Sequence, residues 1–305
     1  YFLIPVLVFG IVGNFLVVMS ILRQKSLLKN NCYFLVLHLA ICDLGWLVLN
    51  FFDSVIISLF QKLQYVRNNM VFCFIFRMTF LFQVAGMYIM LVISAHRYRA
   101  TVHPLRPAMS RQKLKSVCGF GYIIAFFAGY GIVAVTCFKQ IDVEEYWRFL
   151  YAYGTLLFYL TPTIFMAVVY YRIGRALVRQ SKSIRSVRSS RVPEGSSSFK
   201  ILRYIRHRRT YGVCLATVLC CGVGNLPVSM WFLWYIAKIN PLAEKFEVFY
   251  NVSLLLRIAG SCSVNPLIYG ILDKKLLTFW KILRKKHRTT QRIIYAASRT
   301  TEAHS

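Results

Sequence analysis

Residues 78–98 read MTFLFQVAGMYIMLVISAHRY. Between Arg77 and His96 no side chain carries a charge, and the stretch closes on His96-Arg97-Tyr98. A helix needs about 20 mainly apolar residues to cross a hydrocarbon core of roughly 30 Å. A run of that length predicts a membrane-spanning helix. Working outward, the chain holds seven such stretches, at approximately 1–22, 32–60, 70–98, 114–137, 148–178, 206–237 and 246–271. The backbone in lipid must satisfy its own hydrogen bonds, so each is a helix or a barrel strand. Barrel strands are short and alternate in polarity, whereas these runs are long and continuously apolar. The expectation is an all-α membrane protein, a bundle of seven transmembrane helices. No internal repeat is visible, which argues against the two-halved transporter folds.

Composition excludes the other classes. Of the 305 residues, 57% are hydrophobic and 16% charged, with mean hydropathy +0.54. A soluble chain is nearer a quarter charged, and a disordered one cannot be this apolar. Lys and Arg number 38 against 10 Asp and Glu, a net charge of +28. Such a basic chain raises the question of nucleic acid, but the basic residues sort by loop instead. Segments 23–31, 97–115, 172–209 and 273–305 hold 30 of the 38, and they alternate with three poor loops. By the positive-inside rule the four basic segments are cytosolic, and their partners are anionic membrane lipids rather than nucleic acid. The N-terminus is then extracellular and the C-terminus cytosolic. We divide the chain into a transmembrane domain, 1–271, and a cytosolic tail, 272–305. Residues 179–205, rich in Ser and Arg around Pro193 and Gly195, predict a flexible cytosolic loop.

An ionisable residue inside a span is costly to bury and so a functional candidate. Asp43 sits within the second span, with Asn14 in the first and Asn265 in the seventh as its natural polar partners; a structural polar knot and a switch are both compatible with this. Arg97 lies at the cytosolic mouth of the third span, where a snorkelling anchor is the plain alternative. Pro266 predicts a kink in the seventh span. After it, Leu276, Leu277, Trp280 and Leu283 form one apolar face beside Lys274, Lys275 and Lys281. That pattern predicts a short amphipathic cytosolic helix.

These motifs, in this order, resemble the rhodopsin-like (class A) G-protein-coupled receptors. The matching residues are Gly13-Asn14, Leu39-Ala40-x-x-Asp43, His96-Arg97-Tyr98 followed by Pro104-Leu105, Pro162 with Tyr170, Pro227, and Asn265-Pro266-x-x-Tyr269. The resemblance covers all seven spans. It implies a plasma-membrane receptor that passes an extracellular signal to a heterotrimeric G protein, with arrestin and receptor kinases as further partners. Arg97, Tyr98, Leu105, Tyr170, Asn265, Pro266 and Tyr269 would serve coupling and switching, and Asn14 and Asp43 a core polar network. It also implies a disulfide between Cys73 and Cys137, at neighbouring outer helix ends. A non-signalling binder or scavenger of the same architecture is the alternative.

The ligand pocket is implied by the same resemblance, opening outward among spans three, five, six and seven. Its candidates are Asp53, Arg77, Thr79, Gln83, Asn225, Phe232 and Tyr235, with Trp234 nearby. Thr79 stands where amine receptors carry an acid, and Ala259 where opsins carry the retinal lysine. A peptide is favoured, with a lipid or other small molecule next, and rim acids such as Asp142, Glu144 and Glu247 suggest a cationic ligand. Several positions depart from the pattern. His96 replaces the acid that restrains the arginine, Asn225 replaces the aromatic toggle, and Gly86 stands where a sodium site often has an oxygen-bearing side chain. Histidine cannot supply the same ion pair, so raised ligand-free signalling is expected. No Cys/His spacing fits zinc, and no phosphate loop or nucleophile elbow appears. Neither metal, cofactor nor catalytic residue is expected, and the chain does not read as an enzyme.

Overall fold

The structure is a computed structural model that describes residues 3–60, 70–103, 106–107, 109–137, 154, 156–189, 194–236 and 243–272. Within these, side-chain placements are described for most but not all residues. The helices in chain order are α1 (Leu3–Arg23), α2 (Lys25–Leu28), α3 (Asn31–Phe60), α4 (Met70–Val102), α5 (Arg111–Cys137), α6 (Thr161–Ser189), α7 (Glu194–Ile236), α8 (Ala243–Ile258) and α9 (Asn265–Leu272). Two single π-helical turns interrupt the series, Leu156–Leu160 before α6 and Ala259–Ser263 between α8 and α9.

Among the described residues, five helical segments are long and apolar enough to cross a membrane: Leu3–Arg23, Asn31–Val55, Met78–Val102, Leu157–Lys182 and Tyr211–Met230. The other two expected spans are helical too, as α5 and as α8 to α9. Successive helices pack side by side, α1 on α3, α3 on α4, α4 on α5 and α6, and α6 on α7. α7 packs on α8, and the π turn and α9 return to α1, closing the ring. The outside of the ring is bare and apolar, with Phe127 67% and Phe120 58% exposed. On a soluble protein such a surface marks an interaction face; here it is the face for lipid.

Inside, the helices approach closely through small residues, the usual device where lipid gives no hydrophobic drive between helices. A Cβ on Gly13 would lie 2.9 Å from the Pro266 ring, so α1 and α9 touch through that glycine. The prolines are accommodated locally. Pro162 is the second residue of α6 and Pro266 the second of α9, each just after a π turn, so neither missing N–H interrupts an established helix. Pro227 lies inside α7, where it takes the helical partner from the residue 223 carbonyl.

One expectation changes. Residues 179–205 were read as a flexible loop, yet α6 continues to Ser189 and α7 begins at Glu194. Arg, Lys and Gln are good helix formers, and helix can propagate from the membrane-anchored segments without a fresh nucleus. The amphipathic helix expected after the seventh span lies outside the described residues.

Candidate functional site

The polar centre is built from three helices. Asp43 on α3 is buried, and Asn265 Nδ2 donates to its Oδ2 at 2.7 Å. Asn14 on α1 is also buried, but it does not bond Asp43. Its Nδ2 donates to the carbonyls of Gly10 at 3.0 Å and Cys262 at 3.1 Å. The second acceptor is available because Pro266, four residues on, has no N–H to offer the Cys262 carbonyl. Ser263 Oγ donates to the Val6 carbonyl at 3.2 Å, a second tie between α1 and the turn. Next to Asp43 is a cavity of about 20 Å³, bordered by Trp46, Gln83, Gly86, Met87 and Asn225. That is room for about one water. Asn225, buried on α7, donates back to the Cys221 carbonyl at 2.9 Å, a bond along its own helix.

The second centre is the basic end. Arg97, near the end of α4, donates from Nη2 to Cys32 Sγ on α3. Cys214 on α7 and Tyr170 on α6 are its other charged or polar neighbours, and none of the three is a carboxylate. The arginine therefore ties α4 to α3 and α7, with Tyr170 of α6 nearby. Its Nε is buried and without a hydrogen-bond partner among the described residues. Tyr170 is buried at 2% exposure, its ring 6.1 Å from that of Tyr211. Tyr98 stacks edge-on against His103 at 5.6 Å. Beside them, Arg111 Nη2 donates to the Leu28 carbonyl at 2.8 Å and its guanidinium lies 3.7 Å over the Phe34 ring, pinning the start of α5 to α2 and α3.

The model of the 7 transmembrane receptor (rhodopsin family) matches residues 13–269, from the glycine before Asn14 to Tyr269. The chain belongs to this family. It is 23% identical over 287 residues to the substance-P receptor of Aquarana catesbeiana, an alignment covering 88% of this chain and 66% of that one. It is 24% identical over 286 residues to the neuromedin-K receptor of Homo sapiens (89% and 58% covered) and 23% identical over 293 residues to the neuropeptide F receptor of Drosophila melanogaster (88% and 58%). The chain thus spans less than two thirds of the length of these relatives. Squid rhodopsin shares its fold, with TM-score 0.74 at 18% identity over 91% of this chain and 82% of that one. The receptor is accordingly a multi-pass membrane protein.

Several expected site residues can now be placed. Asp53 and Thr79 are half-buried on α3 and α4, and Gln83 borders the central cavity with Asn225. The side chains of Cys73, Arg77, Cys137, Phe232, Tyr235 and Tyr269, and all of Leu105, lie outside the described residues. The sodium site often found in the family does not fit here. One Asp43 oxygen accepts from Asn265, and Gly86, the neighbour that would supply another oxygen, has no side chain. Among the described residues no group of three His, Cys, Asp or Glu is placed to hold a metal ion.

Sequence reading missed two features. Cys32 and Cys214 meet Arg97 from 65 and 117 residues away in sequence, and a thiol in an apolar helix gives no pattern to flag it. Arg257, a cation within the seventh span, is the other. Its Nη2 donates to Tyr159 Oη at 2.8 Å, and its guanidinium lies 5.1 Å from the Tyr159 ring and 5.8 Å from that of Trp46. An intramembrane arginine is the kind of signal that singles out a site, so this one was legible in principle.

Proposed function

We propose that the receptor carries an extracellular peptide signal to a heterotrimeric G protein by switching between two packings of its helices. The observation that supports this best is Arg97. It joins α4 to α3 and α7 at the basic end, so an opening there must break its contacts with Cys32 and Cys214. A ligand that favours the open packing shifts the population by its differential affinity. The freed Arg97 would meet the G protein, Tyr170 and Tyr269 would support the open form, and Leu105 would insert into the G-protein surface. By the positive-inside rule the basic end is cytosolic and the N-terminus extracellular, in the plasma membrane. Arrestin and receptor kinases would act at the same end.

A peptide is favoured because the relatives named above are receptors for substance P, neuromedin K and neuropeptide F. The absence of an acid at Thr79 and the interior cation Arg257 both disfavour an amine. Asn225, where the family carries the aromatic toggle, favours a second reading, a binder that does not signal. The test is guanine-nucleotide exchange on purified heterotrimers, with receptor-containing and empty bilayer discs. Faster exchange with receptor supports coupling, and equal rates across all heterotrimer classes would favour the binder.

A further inference from the structure

We infer that Arg257, with Tyr159 beside it, anchors a carboxylate of the ligand within the outward half of the helix bundle. Arg257 stands on α8 eight residues before Asn265, on the extracellular side of the polar centre. Its partners are a phenol and two aromatic rings, those of Tyr159 and Trp46. A guanidinium carries five N–H donors. Here Nη2 has the Tyr159 oxygen as acceptor, while the buried Nε has none among the described residues. Tyr159 accepts with its oxygen, which leaves its own hydrogen to donate elsewhere. Together the two side chains present a positive charge and donors that an anion would satisfy. No carboxylate meets Arg257 among the described residues. Asp43 accepts from Asn265, deeper in the bundle. Asp53 stands seven residues beyond Trp46, and Glu247 ten residues before Arg257, about 10 Å and 15 Å along their helices. A charge inside a span is paired or marks a ligand path. Both members of the pair also sit at π turns: Tyr159 within Leu156–Leu160, and Arg257 two residues before Ala259–Ser263. Such turns are rare and frequently mark functional sites.

Charge and shape set the class of anion. One guanidinium balances one negative charge, which a carboxylate carries and a phosphate monoester nearly doubles. Guanidinium forks pair carboxylate oxygens two at a time. The rings of Trp46 and Tyr159 flank the guanidinium, so an aromatic group next to the carboxylate gains contact with them. The acids of the outer loops, among them Asp142, Glu144 and Glu145, are opposite in sign to Arg257. A peptide that enters anionic end first therefore meets complementary charge at both depths. Its C-terminus or an acidic side chain supplies the carboxylate. The peptide as source rests on the receptor reading above; the preference of Arg257 for a carboxylate does not.

The test is saturation-transfer NMR of the full chain in bilayer discs with 3-phenylpropionate and its neutral counterpart, 3-phenylpropanamide. We expect the acid to bind at least about tenfold more tightly than the amide, a preference that Arg257→Gln removes. Tyr159→Phe keeps the charge and removes one donor, and should weaken the acid while leaving the amide unchanged. Equal binding of acid and amide by the parent, or a preference untouched by Arg257→Gln, would overturn the anchor. If Arg257→Gln is not monodisperse, photolabelling of the parent by 3-(4-benzoylphenyl)propionate decides. Label on the peptides that hold Trp46 or Tyr159 supports the site, and label confined elsewhere overturns it. Hexapeptide pools, with free or amidated C-termini and with or without Asp and Glu, are then passed over the same discs and the retained peptides read by mass spectrometry. Retention of free acids alone assigns the C-terminus, and retention of amides only where they hold Asp or Glu assigns a side chain. Equal retention of the amidated pool lacking Asp and Glu would overturn the carboxylate. If no pool is retained while the acid preference stands, the anchor holds and the peptide reading fails.

Discussion

Replacing His96 with aspartate should quiet the ligand-free receptor. Arg97 is held by two thiols, with no acid beside it among the described residues, and its buried Nε has no hydrogen-bond partner among them either. A carboxylate one residue away can supply that partner in the resting packing. A hydrogen bond to a charged group contributes about 1.5–3 kcal/mol net. Residue 96 is only half-buried, so solvent screening reduces this to about 1–1.4 kcal/mol. Every 1.4 kcal/mol is roughly tenfold in an equilibrium, and the active fraction should fall about five- to tenfold. The assay is ligand-free nucleotide exchange at matched surface expression. His96→Asn, similar in size and without the charge, should leave the rate near that of the parent. If His96→Asp signals as much as the parent or more, the missing acid is not what sets the resting state.

Three further outcomes follow from the packing. Gly13→Val places carbon against the Pro266 ring, where even a Cβ would lie at 2.9 Å; overpacking costs about 1–3 kcal/mol, and the detergent-solubilised variant should melt several degrees lower. Tyr159→Phe removes the hydroxyl that accepts from Arg257. Leaving that charged donor unpaired costs about 1.5–3 kcal/mol, which at roughly 2–4 °C per kcal/mol lowers Tm by about 3–12 °C, and an unchanged Tm would show that the pair contributes nothing. Non-reduced digests of surface-derived protein should contain the Cys73 and Cys137 peptides linked, a bridge contributing about 2–4 kcal/mol. Recovery of both as free thiols rules the bridge out.

The helices were legible in the sequence because membrane burial writes itself as continuous apolar length, and the limits of the first four spans and of the seventh agree with the helices to within a few residues, whereas α6 runs beyond the fifth span and α7 starts before the sixth at the cytosolic end. There, Arg-rich composition permits both loop and helix, and the covalent continuation of an existing helix decides. Asp43 and Asn265 could be paired because two polar residues in lipid must find partners. Asn14 lies beside them, but its acceptors are carbonyls, and one of them, that of Cys262, is the carbonyl that Pro266 leaves without a helical N–H, a signal the sequence did carry. The neighbours of Arg97 were illegible for a different reason. The family's acid is missing at His96, and the cysteines that take up the arginine look like any small apolar residue until the helices are assembled.

The most direct test of the coupling role assigned to Arg97 is nucleotide exchange by Arg97→Ala against the parent receptor, at equal surface density and with the same purified heterotrimer. Alanine removes the guanidinium that joins α4 to α3 and α7, and with it the group proposed to meet the G protein. Exchange should fall to the rate of empty discs, with surface expression largely kept. Exchange at the parental rate would contradict it.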